Sequence, residues 1–290
     1  MQQAPLKLSL AIGTTRQARP LKSKQVSVGS IDLDIVPNER VYPLFRPMVR
    51  EQKFDISEMA VVTYIMAHDR RKPISLVPAL MLAWDSHPHL VHNVSKGAIT
   101  PGNIEGKRVG VRSYSQTTGC WNRGFLHNDF GVDLSRIKWV TFEDAHLGEF
   151  RDPPFVERAP AGKDIRDMLL SGELDCAIIA PQPDPRLADI YPAGAADDWV
   201  RRNGCHQINH MMCVRTELLD RHPWLAADLW ELVLKGREAG GLPADKDRYG
   251  IEANYKALSL AAMYAHQQGL VSRRYEVEEL FHPSTLKIFA

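Results

Sequence analysis

The 290-residue chain has no apolar run long enough for a transmembrane helix, which needs roughly 18 consecutive apolar residues. It has almost no net charge, since 36 Lys and Arg against 35 Asp and Glu leave +1. That removes the usual ground for expecting nucleic acid or an anionic membrane as a partner. The first ten residues carry one lysine and run straight into an alternating stretch, without the basic region, apolar core and small-residue cleavage site of a secretory signal. A cytoplasmic protein is expected. Cysteine is sparse: Cys120, Cys176, Cys205 and Cys213 stand far apart with no CxxC pair, so reduced, mostly buried thiols are expected rather than a disulfide or zinc framework. There is no internal repeat or low-complexity segment, and no G-x-S-x-G, Walker, Rossmann or zinc-deaminase pattern. Cys120 follows Gly119 inside a predicted helix and has no histidine at a recognisable spacing, which makes it a poor nucleophile candidate.

The composition, 44% hydrophobic and 24% charged, is that of a soluble globular protein, with eleven histidines as a mild surplus. At roughly 150 residues per domain, the length allows one large domain or two of ordinary size. Short β-like runs alternate with helical stretches, the pattern of an α/β protein. Strands are predicted at 6–12, 54–58, 74–82, 90–93, 108–111, 137–142, 174–180 and 210–214, and Val26–Val36 reads as two strands around a Gly-Ser turn. Helices are predicted at 42–49, 59–68, 116–130, 163–171, 223–237 and 257–268, the last stopped by Gly269. Residues 143–162, rich in Pro and charge, read as a loop. Strand 108–111, helix 116–130 and strand 137–142 form a β-α-β unit whose strands should be parallel. The order suggests two lobes: 1–97 with 212–290, and 98–211 between them. Two crossings would leave a cleft, the preferred place for a small ligand.

Several segments carry a more specific likeness. They are LSLAIG at Leu8–Gly13, the pair Arg19-Pro20, FDISE at Phe54–Glu58, Tyr64, GKRVGV at Gly106–Val111, and Tyr114, Thr117 and Trp121. The more distinctive ones come later: His210, HPWL at His222–Leu225, YGIEAN at Tyr249–Asn254, and QGLVSRR with EELFHPSTL between Gln268 and Leu286. Over nearly its whole length the chain resembles the 4,5-dihydroxyphthalate decarboxylase family. The resemblance implies an α/β, two-lobed type 2 periplasmic-binding-protein-like fold with an inter-lobe ligand cleft. It also implies loss of CO2 from a hydroxylated aromatic carboxylic acid, with no cofactor. One departure is clear: the family's RxFRH segment is AWDSH here, Ala83–His87, so the histidine stays and both arginines are gone. Arg112, where the family tends to have proline, is placed to compensate. The chain is also shorter than the family, with the shortening assigned to Gly240–Tyr249.

Decarboxylation without an electron-sink cofactor needs a proton donor for the ring carbon, a base for a ring hydroxyl and an apolar wall facing the departing CO2. Histidines and carboxylates do such proton work near neutral pH. His87 and His210, each at or just before a predicted strand and each matching a family histidine, are the first catalytic candidates. Glu58, at the predicted junction of strand and helix, would orient a histidine or take a hydroxyl proton; capping the following helix is the equal alternative. Tyr114, Gln116 and Thr117 open a helix whose backbone N–H groups form an anion site for a substrate carboxylate. Arg19 and then Arg112 are the side-chain carboxylate ligands, each set against a solvated surface arginine. Trp84 and Trp121 would stack on an aromatic ring, with core packing as the commoner fate of such residues.

Asp85, His87, His89 and His92 raise the question of a metal, because an HxH on a strand puts both imidazoles on one face. A metal held through His87, His89 or His210 is the exception left open to the expectation of no cofactor. His222, His266 and His282 are assigned to structure. The expected partner is a small aromatic carboxylate, with a homo-oligomer left open. The rival readings are a non-catalytic binding protein of the same fold that holds a small carboxylate, and an enzyme like those of menaquinone biosynthesis that dehydrate or cleave chorismate-derived acids.

Overall fold

In the computed structural model, which describes residues 4–242, 249–286 and 288, strands and helices alternate along most of the chain. The strands are β1 (Leu6–Ala11), β2 (Ile31–Ile35), β3 (Ile56–Ala60), β4 (Ile74–Ala83), β5 (Leu90–Asn93), β6 (Arg108–Val111), β7 (Lys138–Thr141), β8 (Val156–Arg158), β9 (Cys176–Ile178), β10 (Leu187–Asp189) and β11 (Ile208–Arg215). The helices are α1 (Ala18–Lys22), α2 (Tyr42–Glu51), α3 (Val61–Asp69), α4 (Thr117–Phe130), α5 (Ile165–Leu170), α6 (Ala195–Asn203), α7 (Thr216–Arg221), α8 (Leu225–Ala239), α9 (Ile251–Gln267) and α10 (Pro283–Leu286). The chain divides into two compact units: Met1–Ala83, Ile208–Ala262 and Arg273–Ala290 form one, and Trp84–Gln207 with Met263–Ser272 the other.

The first unit is built on a five-stranded sheet of order β2-β1-β3-β11-β4. β1 runs parallel to β2 and β3, while β11 is antiparallel to β3 and β4. At the edge, β2 buries Ile31 and Leu33 and exposes Asp32 and Asp34, the alternation of a strand covered on one face. In the centre, Leu8, Leu10, Ile56, Met212 and Val214 meet Leu225, Leu229, Leu232 and Val233 of α8 in one apolar cluster. The 3.6-residue spacing of that α8 stripe turns one helix face to the sheet.

The second unit holds a six-stranded sheet of order β10-β5-β9-β6-β7-β8. α4 connects β6 to its parallel neighbour β7, as a crossover of that length requires, and β9 lies parallel on the other side of β6. The unit begins at Trp84 rather than after residue 97, because β5 pairs with β9 and β10 of this sheet. Its main segment ends at Gln207, since β11, starting at Ile208, already belongs to the first sheet, and Met263–Ser272 returns to it from the C-terminal part assigned by sequence to the first lobe.

Two segments differ from the sequence expectation. Val26 and Val28 form no strand; they pack partly buried against the first core, and only Ile31–Ile35 joins the ladder. The stretch 143–162 is not all loop, since Val156–Arg158 adds an edge strand parallel to β7. The shortening assigned to Gly240–Tyr249 falls largely on residues 243–248, which lie outside the described residues.

Candidate active site

In an open α/β sheet, ligands collect at the carboxyl ends of strands where consecutive connections leave in opposite directions. In the first sheet that point lies between β1 and β3, because β2 pairs on the far side of β1. Gly13 follows the end of β1, and Glu58 stands in the second half of β3. β11 runs the opposite way, so its first residues lie beside the end of β3: His210 is opposite Ala60 and Met212 is opposite Glu58. His210 and Glu58 are therefore diagonal neighbours on one sheet face, within reach of long side chains. The same face carries Ile56, Met212 and Val214 into the core, so this polar pair stands where an apolar alternation stops.

The pair is closely held. Glu58 is buried, at 1% exposure, and Oε1 lies 2.7 Å from Nδ1 of His210. Its other oxygen, Oε2, accepts the Gly13 N–H at 2.8 Å. The edge of the imidazole meets Phe45 of α2, with ring centres 5.0 Å apart and planes at 80°. With Nδ1–H donating to the carboxylate, the second nitrogen of the His210 ring is Nε2. Of the two expectations for Glu58, capping fails. β3 continues to Ala60, and α3 starts at Val61 without a side-chain cap.

Gly13 is a participant that sequence reasoning did not single out. A Cβ there would come 3.0 Å from Glu58 Oε2 and 3.4 Å from Val41 Cβ. Its φ is not positive, so the glycine is needed for close approach and not for an unusual backbone. A glycine directly after an alternating strand was the available signal.

The second sheet obeys the same rule between β6 and β9. A groove of about 500 Å³ lies at the ends of β6, β7 and β9, lined by Arg112, Gln116, Phe142 and Ile178, with Lys163 and Arg166 among the charged residues. Arg166 also pairs with Asp184, and Lys163 with Glu173. Gln116 is the N-cap of α4 without capping it through its side chain, and its Oε1 is buried with no hydrogen-bond partner among the described residues. Thr117 is buried in the first helical turn, and the Ser113 and Ser115 hydroxyls lie 3.1 Å apart.

Other candidates are placed differently from expectation. His87 lies just before β5, as expected of it, in a 3₁₀ turn, His87–His89, and its surroundings are what differ. Its ring stacks on Phe125 at 4.0 Å and meets Tyr191 edge-on at 5.0 Å. Burial, aided by the Arg202 charge, pushes His87 down to about 4, so it is a neutral, packed imidazole at pH 7 rather than a ready acid. The turn also undoes the one-face argument for an HxH metal pair, since His89 stacks on Trp84 instead. Among the described residues no group of three His, Cys, Asp or Glu side chains could hold a metal ion.

Trp121 and Tyr114, each 1% exposed, are core residues: Trp121 packs against Trp199 and Tyr264, and Tyr114 lies under Arg123. Neither ring can stack on a substrate. Trp84 keeps 37% of its surface, and Arg19 is exposed on α1. Cys120, Cys176 and Cys213 are buried thiols, and burial pushes Cys120 and Cys176 up to about 12, so neither is a thiolate at neutral pH. No helix among the described residues is long and apolar enough to cross a membrane.

A scan against family models finds no match. Among curated proteins, the chain is 27% identical over 332 residues to 4,5-dihydroxyphthalate decarboxylase of Comamonas testosteroni, covering 98% of each. It is 30% identical over 213 residues to 4,5-dihydroxyphthalate decarboxylase of Pseudomonas putida, covering 68% of this chain and 82% of that one. Among solved structures it resembles the periplasmic aliphatic sulphonate binding protein SsuA of Escherichia coli, with TM-score 0.57, 12% identity, and coverage of 96% and 92%. It also resembles the alkanesulfonate-binding protein SsuA of Xanthomonas axonopodis, with TM-score 0.54, 11% identity, and coverage of 97% and 99%. At such identities the likeness establishes the fold, the two-lobed α/β fold of periplasmic binding proteins. The relatives at 27% and 30% identity say more, and the chain belongs to the 4,5-dihydroxyphthalate decarboxylase family.

Proposed function

We propose that this carboxy-lyase removes CO2 from a hydroxylated aromatic carboxylic acid of the 4,5-dihydroxyphthalate type, with Glu58 and His210 handling the proton. The observation that carries the reading is the buried carboxylate whose two oxygens are taken up by the His210 ring and the Gly13 N–H. A carboxylate so fixed orients the imidazole and stabilises its charged form as the proton moves, which is the part played by the third member in many acid–base groupings.

In the proposed reaction, His210 delivers a proton from Nε2 to the ring carbon that bears the carboxylate. The C–C bond to that carboxylate then breaks, its electron pair restores the ring and CO2 leaves. One proton is consumed for each CO2 released, and His210 regains it from water. A ring hydroxyl para or ortho to the reacting carbon steadies the intermediate by electron donation. Holding the carboxylate falls to Arg112, Gln116 and the opening turn of α4, which present a cation, an amide and backbone donors. His87 takes no step, because its neutral ring is packed against Phe125.

The test is incubation with a panel of hydroxylated mono- and dicarboxylates, with and without chelator, read by mass spectrometry. Loss of one CO2 from a hydroxylated phthalate, unaffected by chelator, is expected. If no aromatic acid in the panel loses CO2 while calorimetry detects tight binding of an unchanged carboxylate, the chain is a binding protein and the proposal is wrong.

A further inference from the structure

Arg123, in the second turn of α4, has no exposed surface. Its Nε donates to Gln268 Oε1 at 2.8 Å, and Nη2 donates to the carbonyl of Tyr114, in the turn that leads into α4. The guanidinium lies 4.0 Å from the centre of the Tyr114 ring and 5.3 Å from that of Trp139. Nη1 is buried with no hydrogen-bond partner among the described residues. It lies against the first turn of α4, where a Cβ on Gly119 would come within 3.2 Å of it.

A buried cation is ordinarily neutralised by a carboxylate in contact with it, because an uncompensated charge in a low-dielectric interior is costly. Arginine cannot escape that cost by losing its proton near neutral pH. Here the hydrogen-bond acceptors are an amide and a backbone carbonyl, both neutral, and Asp152 acts only through space. The position compounds the cost. The charge sits behind the N-terminal turn of a 14-residue helix, whose dipole already adds positive potential there. Cation and dipole therefore reinforce each other at a turn lined with hydroxyls and the unpartnered Gln116 Oε1.

We infer that Arg123 is a positioning residue that acts electrostatically. It fixes the turn through the Tyr114 carbonyl and supplies buried charge that only an arriving carboxylate compensates. The inference rests on the reading of the α4 opening turn as the place where a substrate carboxylate docks. It adds a residue that never touches the ligand.

The experiment places a carboxylate beside Arg123 from the opposite side. Gln268→Glu keeps an oxygen for Nε and neutralises the guanidinium, but gives up the donation of Gln268 Nε2 to the Cys120 carbonyl. Gln268→Leu gives up both bonds and adds no charge, so it isolates the effect of the bonds alone. Phthalate and inorganic sulfate are titrated into each full-length protein by calorimetry at two salt concentrations. Q268E is expected to bind either anion about tenfold more weakly than Q268L, with a weaker salt dependence, and to show the loss in KM rather than kcat. Equal affinity in the two variants, with differences confined to melting temperature, would make Arg123 purely structural and overturn the inference.

Should Q268E fail to fold, Arg123→Lys against Arg123→Met serves the same purpose. Lysine is expected to retain more affinity than methionine, and equal loss in both counts against the inference. Sulfate binding with the expected order of variants but no turnover of any aromatic acid would leave the Arg123 inference standing and remove the proposed reaction. Absence of sulfate and phthalate binding in the unsubstituted protein would remove the Arg123 inference.

Discussion

Glu58 shows how little freedom the site allows at the residue scale. Both carboxylate oxygens are committed, and the backbone of Gly13 approaches so closely that one methyl group would press on Oε2. Gly13→Ala is therefore expected to lower kcat roughly tenfold by tilting the carboxylate away from His210, with a melting temperature within a few degrees of the parent. Steady-state kinetics beside a thermal melt checks this; an unchanged kcat would mean that the carboxylate position does not matter. His87 bears on stability instead. With its folded value near 4, below the usual 6.5, the unfolded chain binds the extra proton first as the pH falls. Stability should accordingly be intact above pH 6.5 and decline between 6.5 and 4, by roughly 3 kcal/mol from this residue. In denaturant titrations across that range His87→Phe should lose this part of the slope while keeping its ring on Phe125.

Among the elements, α4 is constrained most tightly. Gly124 in its middle lies against the Tyr264 ring, and a Cβ there would overlap ring atoms close to the backbone, where a rotamer change gives no relief. Gly124→Ala is expected to cost roughly 2 kcal/mol or more, read by chemical denaturation, although alanine is the better helix former by about 1 kcal/mol. A neutral or stabilising result would show that the contact can relax. The limits of α4 were legible from sequence to within one residue because Gln116 and Gly131 bracket a long helix and Gly131 takes the left-handed conformation that ends it. β8 and β10, three residues each and largely unburied, were not legible because neither shows alternation or an apolar run, whereas the equally short β9 is marked by its buried apolar residues. The place of His87 just before β5 was legible, but its surroundings were not: with Pro88 the HPH segment takes 3₁₀ geometry, and the ring enters an aromatic cluster assembled from distant segments.

For the molecule as a whole, the near-neutral charge fits a protein that handles a small organic anion with a few local cations. The α/β order and the resemblance together make the two-lobed fold readable from the sequence. The expected first division, after residue 97, lies fourteen residues beyond the observed one after Ala83, because β5, which follows the first unit in sequence, hydrogen-bonds into the second sheet. The site was half legible. Glu58 and His210 could be named from residue type and position, but their contact is a product of strand register, 152 residues apart in sequence, and no local signal reports it. The central claim is that this pair carries the proton in a decarboxylation. The most direct measurement compares the unsubstituted protein with His210→Ala on 4,5-dihydroxyphthalate, following CO2 release and, separately, ligand binding by calorimetry. The account predicts CO2 release by the former, a fall of at least about a hundredfold in kcat for the variant, and binding retained within a few-fold. Turnover unchanged in His210→Ala would contradict it.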